Sequence, residues 1–186
     1  MIIGLTGKRG TGKDTVADYL VRRYGYKKLD FTKDVLAPVL RKAGKPVTRD
    51  NLIELAMNGR RKAHNGIWAE RLAGKIKKKG KGDYTISGVR FAEEVESFKR
   101  ELGDDFVLIS LVCSDRNRYE RSMKRGTKGE KNMSFGQYME TEKKPTETAI
   151  LRTVKLADFA LDNNGTINEL HKEVDSMVKL LKEDHG

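Results

Sequence analysis

The chain has 186 residues, of which 35% are charged and 37% are apolar. This length predicts a single domain, residues 1–186, with room for a hydrophobic core, and no apolar run approaches the about 20 residues that a membrane span needs. A single cysteine excludes an internal disulfide and fits a reducing compartment. The first residues lack the features of a signal peptide. We therefore expect a cytoplasmic protein without a membrane partner.

The net charge of +11 leaves three interpretations open. A nucleic-acid partner, an anionic small-molecule site and a solvated lysine-rich surface each account for an excess of cations. The densest basic run, residues 75–81, has no interleaved aromatic side chains, so it does not indicate a surface on which single-stranded bases stack. Nucleic acid is therefore a candidate partner that is not favoured.

The first predicted element is a short apolar strand, residues 1–5, followed by a glycine-rich segment and a helical pattern. This order is typical of a phosphate-binding loop, or P-loop. Its glycines let backbone N–H groups converge on an anion, and the helix N-terminus adds a partial positive charge. Lys13 adds a full charge aimed at the β- and γ-phosphates of a nucleotide. The predicted nucleotide-binding residues here are Gly7, Lys8, Arg9, Gly10, Thr11, Gly12, Lys13, Asp14 and Thr15.

One position departs from the usual P-loop motif. The serine or threonine that normally follows the lysine and binds Mg²⁺ is replaced by Asp14. Thr15 could take part of that role, and Asp14 could reach the metal through a water, because Mg²⁺ keeps several waters when it binds to proteins. Asp14 and Thr15 are therefore both predicted metal ligands, and the choice between them stays open.

Four more apolar segments are predicted strands, at residues 26–31, 84–87, 106–112 and 159–161, and helical patterns separate them. Ser134 with Gln137, and Thr166 with Glu169, form capping boxes that predict two helix starts. Strands that alternate with helices predict an α/β fold in three layers, with a five-stranded parallel sheet between helices. Ligands of such sheets bind at the carboxyl ends of the strands.

Charged and polar residues do occur at those strand ends. Arg118, Arg121 and Arg125 follow the fourth strand at helical spacing, so we expect their side chains near one face of a helix. The others are Asp30 and Lys33 at the second strand, Arg90 after the third, and Asn163, Asn164 and Gly165 after the fifth.

In these segments the chain resembles the small P-loop kinases: nucleoside and deoxynucleoside monophosphate kinases, dephospho-CoA kinase and the archaeal adenylate kinase-like proteins. Residues 12–15, Gly-Lys-Asp-Thr, are similar to the P-loop of viral deoxynucleoside monophosphate kinases and animal phosphomevalonate kinases. Residues 88–90, Gly-Val-Arg, are similar to the third-strand segment, and residues 157–166 to the final strand and adenine-contacting loop. The resemblance implies a P-loop NTPase fold with an acceptor-binding insertion at about 33–80 and a lid at about 116–145.

The resemblance also implies roles for single residues. Lys13 would act on the phosphates of ATP, and Arg121 and Arg125 would close over the transferring group, where planar guanidinium groups meet the spread charge of the transition state. Asp30 lies where dephospho-CoA kinase places the carboxylate that activates an acceptor hydroxyl. The implied adenine contacts are Asn163, Asn164 and Gly165, and the implied acceptor contacts are Lys33, Arg49, Arg60, Arg61 and Arg90.

Structural alternatives exist for some of these roles. Asp30 could be a cap or turn residue at a strand end, and the arginine helix could be solvated and paired with Glu120. Trp68 could stack on a base, although a packing role is favoured. Family members also carry an acidic residue on or just past the third strand, where this chain has Ser87, so the acidic role would pass to Asp14, Asp30 or Asp34.

The sequence thus supports two hypotheses from different classes. The favoured one is a kinase that uses ATP and Mg²⁺ to phosphorylate a small phosphorylated acceptor, a nucleoside or deoxynucleoside monophosphate, with dephospho-CoA as the alternative acceptor. The other is a slow nucleotide-binding module that acts with RNA or a protein partner. The basic surface and the missing third-strand acid favour the second hypothesis, whereas the arginine lid and the insertion favour the first.

Overall fold

Five parallel strands form one sheet in the order β2-β3-β1-β4-β5. The structure is a computed structural model and describes residues 1–126, 133–143 and 145–184. The strands are β1 (Ile2–Thr6), β2 (Lys27–Leu29), β3 (Tyr84–Ser87), β4 (Phe106–Val112) and β5 (Phe159–Asp162). The predicted α/β fold with a five-stranded parallel sheet is confirmed.

Helices connect the strands and cover both faces of the sheet. Within the described ranges none of them is both long enough and apolar enough to cross a bilayer. The α-helices are α1 (Lys13–Tyr24), α2 (Ala37–Lys42), α3 (Arg49–Lys62), α4 (Ile67–Lys79), α5 (Ala92–Leu102), α6 (Asp115–Arg125), α7 (Phe135–Thr141), α8 (Pro145–Val154) and α9 (Ile167–Asp184). A π-helical turn, Phe31–Leu36, runs directly into α2, and a 3₁₀ turn, Gly103–Asp105, precedes β4.

Each face of the sheet has its own hydrophobic core, because successive side chains of a strand point to opposite faces. Ile3 and Leu5 of β1 pack with α1 and α9 on one face. Ile2 and Leu108 belong to the core on the other face, which α4 and α5 complete. Both faces are therefore buried, which explains why β1 and β4 read as continuous apolar runs.

The second strand is shorter than predicted because Asp30 starts a helix. Its carboxylate accepts a hydrogen bond from the Lys33 backbone N–H at 2.9 Å, so the chain turns helical at Phe31. The capping role that the sequence left open for Asp30 is thus present.

Other local predictions are confirmed. Both capping boxes form, with Ser134 accepting from the Gln137 backbone N–H and Thr166 from that of Glu169. Trp68 is 3% exposed, and its indole N–H donates to the carbonyl of Ala56, which confirms the packing role that was favoured for it.

Candidate active site

The glycine-rich segment forms a tight loop between β1 and the first turn of α1. Gly12 adopts the left-handed conformation with φ 98°, and a Cβ atom there would lie 2.3 Å from Nδ2 of Asn163. A Cβ atom on Gly10, whose φ is 82°, would lie 2.9 Å from the carbonyl oxygen of Arg118. Only glycine satisfies both the backbone conformation and the close packing at these positions.

Lys13 folds back over this loop. Its Nζ atom donates hydrogen bonds to the carbonyl oxygens of Gly7 at 2.6 Å and Lys8 at 2.8 Å. The ammonium group therefore lies above the loop, at the N-terminus of α1, where the helix dipole also favours an anion.

A cavity of 670 Å³ opens above the loop, at the carboxyl ends of β1, β2 and β3. Its walls bring together residues that are far apart in the chain, including Phe31 and Glu94, which the sequence did not indicate as site residues. The predicted site residues that line it are Arg9, Gly10, Gly12, Lys13, Asp14, Thr15, Asp30, Arg60, Arg90, Arg121 and Arg125.

Other predicted site residues do not line this cavity. Arg49 starts α3 and is exposed, and Arg61 is exposed and donates to Oδ1 of Asn58 at 2.8 Å. The remaining ones are Gly7, Lys8, Thr11, Lys33, Asn163, Asn164 and Gly165.

The two asparagines after β5 hold neighbouring backbone in place. Asn163 is 6% exposed, and its Nδ2 atom donates to the carbonyl oxygen of Thr11 at 2.8 Å, which braces the phosphate-binding loop from behind. Oδ1 of Asn164 accepts from the backbone N–H of Ser114 at 2.8 Å and so connects β5 to the start of α6. The adenine contact stays a prediction for both.

Asp14 lies at the cavity wall beside the end of β3. Its Oδ1 atom accepts a hydrogen bond from Oγ of Ser87 at 2.9 Å and lies 3.6 Å from Nζ of Lys28. Desolvation by the neighbouring cavity wall raises the pKa of Asp14, whose side chain is still largely exposed, but the hydrogen bond from Ser87 and the charges of Lys28 and Lys13 outweigh it, so the pKa lies below its ordinary value. Asp14 is therefore a carboxylate at neutral pH.

The acceptor side of the cavity carries two arginines that are held by glutamates. Nη2 of Arg60, on α3, lies 3.1 Å from Oε1 of Glu94, and Nη1 of Arg90 lies 2.9 Å from Oε1 of Glu147 on α8. Glu94 is only 1% exposed, and it also accepts from the backbone N–H of Arg90 at 2.9 Å. Burial raises the pKa of Glu94, while that backbone bond and the charge of Arg60 act in the opposite direction. These glutamates fix where the two cations point.

The arginines of α6 do not act as one group. Arg121 and Arg125 line the cavity, whereas Arg118 is fully buried. The guanidinium of Arg118 donates to the carbonyl oxygen of Arg9 at 3.1 Å and to Oε2 of Glu142 at 2.9 Å. Arg118 therefore does not face the cavity as Arg121 and Arg125 do, and it ties the phosphate-binding loop to the end of α7.

Replacing Arg118 with methionine should destabilise the protein by about 2 kcal/mol, because the carbonyl oxygen of Arg9 and the buried carboxylate of Glu142 both lose a charge-assisted hydrogen bond, and Glu142 keeps the longer contact with Lys8 at 3.3 Å. The measurement is urea unfolding followed by circular dichroism. Arg116→Ala is the matched control on the same helix, since Arg116 is exposed and pairs with Glu120 at 3.0 Å, and exposed pairs contribute roughly 0–1 kcal/mol. Equal stability of the two variants would contradict the structural role of Arg118.

The residues present fit a bound Mg²⁺·nucleotide. The described residues contain no group of three or more His, Cys, Asp or Glu side chains that would enclose a metal on their own. Mg²⁺ in phosphate-transferring enzymes is usually held by one or two carboxylates together with substrate phosphates and waters. Asp14 and Thr15 offer oxygen ligands at the cavity wall, next to the loop that would bind the phosphates.

The parallel sheet in the order 2-3-1-4-5 and the loop between β1 and α1 define a P-loop nucleotide-binding domain with a kinase-like fold. The chain belongs to the AAA domain family, whose profile matches residues 3–144, and to the UPF0200 family. It is 30% identical to a UPF0200 protein of Pyrococcus horikoshii, and the match covers 96% of both chains. It is 32% identical to one of Sulfurisphaera tokodaii, again over 96% of both.

Solved structures with this fold include small-molecule kinases. A shikimate kinase from Bacteroides thetaiotaomicron superposes with a TM-score of 0.64 at 13% identity, covering 98% of each chain. A gluconokinase from Sinorhizobium meliloti gives 0.58 at 16% identity, covering 98% of this chain and 94% of that one. At such identities the similarity establishes the fold alone. The resemblance to small P-loop kinases is confirmed at that level, and the match identifies no acceptor.

Proposed function

We propose that this protein is a kinase that uses ATP and Mg²⁺ to phosphorylate a small acceptor that itself carries a phosphate, namely a nucleoside or deoxynucleoside monophosphate. One observation carries the proposal. A single cavity joins the P-loop to four arginines that come from three different segments: Arg60, Arg90, Arg121 and Arg125.

The charges in this cavity suit two phosphate-bearing ligands. The loop amides and Lys13 would hold the phosphates of ATP. Arg60 and Arg90, on the other side of the cavity, would hold the phosphate of the acceptor through bidentate, charge-assisted hydrogen bonds. Their present partners, Glu94 and Glu147, keep them oriented before a ligand arrives, which reduces the ordering that binding requires.

The transferring group would lie between these two subsites, next to α6. Phosphoryl transfer depends on positioning and on stabilising charge that spreads over oxygens in the transition state. Arg121 and Arg125 are the cations that we assign to this task. The predicted lid at about 116–145 contains residues 127–132 and 144, which lie outside the described residues.

Asp30 is the proposed carboxylate for an acceptor that reacts through a hydroxyl group. It lines the cavity while its Oδ1 atom accepts from the backbone N–H of Lys33. A carboxylate has a second oxygen, and that atom would orient an acceptor hydroxyl by accepting its proton.

An acceptor screen with γ-labelled ATP and Mg²⁺ tests the proposal. It should include the nucleoside and deoxynucleoside monophosphates, dephospho-CoA, shikimate and gluconate. We expect transfer of label to a monophosphate. If ATP binds but no acceptor accelerates its consumption, the kinase proposal is wrong, and the nucleotide-binding module that acts with RNA or a protein is favoured by the net charge of +11.

Replacing Arg90 with alanine should raise the KM of the acceptor by about tenfold or more, because a hydrogen bond to a charged group contributes about 1.5–3 kcal/mol. The affinity for ATP should stay the same. Arg61→Ala is the control, since it removes the same charge from an exposed position that does not line the cavity. An unchanged acceptor KM in the Arg90 variant would contradict the assigned acceptor subsite.

A further inference from the structure

Asp14 and Ser87 meet at the wall of the cavity from different elements. Asp14 is the second residue of α1, and Ser87 is the last residue of β3. The Ser87 hydroxyl donates to Oδ1 of Asp14 at 2.9 Å, although 73 positions separate the two residues in the chain. Both line the cavity beside Lys13.

The backbone holds this meeting point in place. β3 lies next to β1 in the sheet, and Ser87 is in register with Leu5. The N–H groups of Gly88 and Val89 both donate to the carbonyl oxygen of Leu5 at 3.1 Å. The end of β3 is therefore fixed relative to the strand that leads into the phosphate-binding loop.

P-loop NTPases hold Mg²⁺ with two protein groups in a fixed arrangement. The serine or threonine after the P-loop lysine supplies a hydroxyl, and an aspartate at the end of a strand supplies a carboxylate. In this chain the helix position carries the carboxylate, Asp14, and the strand position carries the hydroxyl, Ser87.

We propose that Asp14 and Ser87 form the Mg²⁺ site of this protein with the two ligand positions exchanged. The inference rests on the proposed binding of Mg²⁺·nucleotide, and it assigns the metal to Asp14 together with Ser87 rather than to Thr15. The site keeps the same types of ligand as the usual P-loop site, one hydroxyl and one carboxylate, and the same single negative charge. Phosphate oxygens and waters would complete the octahedral shell that Mg²⁺ requires.

The charges around Asp14 agree with this role. Lys28 lies 3.6 Å from Oδ1 of Asp14, and it also bonds Oδ1 of Asp18 at 2.8 Å. When a metal ion binds Asp14, Lys28 therefore keeps Asp18 as a closer carboxylate partner. Metal binding then leaves neither Asp14 nor Lys28 without an opposite charge. The missing acid of the third strand is then accounted for, because its charge lies on the neighbouring helix.

The test exchanges the two residues. Nucleotide affinity is measured with a fluorescent ATP analogue in EDTA and in Mg²⁺, and the ratio of the two is the metal-dependent gain. Binding of Mn²⁺ to the nucleotide complex, followed by electron paramagnetic resonance, reports the metal directly. The variants are Asp14→Ser, Ser87→Asp, the double exchange Asp14→Ser/Ser87→Asp, and Thr15→Val.

We expect Asp14→Ser to lower the gain and the Mn²⁺ affinity at least about tenfold, since even outer-shell partners of a metal are worth about 10- to 100-fold. Ser87→Asp should weaken binding in EDTA, because two carboxylates then face the phosphates. The double exchange should restore the gain to within about threefold of the parent. Asp50→Ser is the matched control, since Asp50 is the second residue of α3, is exposed and does not line the cavity.

Several results would overturn the inference. One is a metal-dependent gain in Asp14→Ser that equals the gain of the parent. Another is the loss of that gain in Thr15→Val, and a third is a double exchange whose gain is no higher than that of Asp14→Ser. Each result counts provided that binding in EDTA is intact. If the double exchange does not fold, the near-isosteric pair Asp14→Asn and Ser87→Ala decides, because both should lower the gain. Absence of nucleotide binding by the parent protein, in EDTA and in Mg²⁺, would instead refute the proposed function and the metal site with it.

Discussion

Replacing Lys13 with alanine should severely weaken ATP binding while leaving the fold intact. The ammonium group donates hydrogen bonds to the loop carbonyls of Gly7 and Lys8 and so places a full positive charge at the phosphate-binding loop. Its loss should reduce the affinity for ATP by about a hundredfold or more, because charge-assisted hydrogen bonds to phosphate are each worth about 1.5–3 kcal/mol. Isothermal titration calorimetry with ATP, in EDTA and in Mg²⁺, measures the effect.

A charge-matched variant separates this effect from the general loss of a cation. Lys172→Ala removes one positive charge from an exposed position of α9, so it should bind ATP as the parent does. The unfolding free energy of Lys13→Ala should change by no more than about 1 kcal/mol, since the lost hydrogen bonds are only partly buried. ATP binding by Lys13→Ala at the parent's affinity, under matched salt, would refute the P-loop assignment.

Replacing Arg121 or Arg125 with alanine should lower kcat by about 10³-fold with the best acceptor of the screen. A cation that acts on the transferring phosphoryl group contributes most in the transition state, where the charge of that group is redistributed. The KM for ATP should therefore change far less than kcat. Arg121→Lys and Arg125→Lys should not restore the rate, because an ammonium group lacks the planar fork of guanidinium. Steady-state kinetics at saturating ATP give both parameters.

Two other arginines of α6 serve as comparisons for this prediction. Arg116→Ala removes an exposed side chain and should leave kcat unchanged. Arg118→Met should lower the stability of the protein, as described above, so its kinetics should be measured well below its unfolding temperature. Parent-level turnover in both Arg121→Ala and Arg125→Ala would refute the role assigned to them and favour the slow nucleotide-binding module.

The three central strands, β1, β3 and β4, were predictable because they are buried on both faces, and their apolar runs are therefore nearly continuous. β3 and β4 have the predicted bounds. The second strand was predicted too long because one carboxylate, that of Asp30, ends it by capping a helix. The cap changes the structure of only the last two residues of the predicted strand, Asp30 and Phe31. Apolar periodicity over two residues cannot distinguish a strand from a helix start.

The contacts that build the site were harder to predict, since they join distant parts of the chain. Helical spacing places Arg118 and Arg121 close together but cannot tell which of them meets Glu142, 24 residues further along. The bond between Ser87 and Asp14 has no local signal either. Glu94 did have a local signal, because a glutamate at the third position of a helix is typical of a capping residue. In the structure it accepts hydrogen bonds from the backbone N–H groups of Arg90 and Phe91.

The burial of Arg118 has a mechanical consequence for any opening and closing of the cavity. Swinging α7 away from the phosphate-binding loop would separate the buried carboxylate of Glu142 from two cations, the guanidinium of Arg118 and the ammonium of Lys8, at a cost of several kcal/mol. The loop, α6 and α7 should therefore move as one rigid body. The ion pair between Arg90 and Glu147, by contrast, is more exposed, with 34% and 12% of the two side chains accessible, so a ligand can replace it at a lower cost. Movement of the cavity walls is therefore expected at Arg90 and α8, so the acceptor side would close onto a stationary nucleotide side.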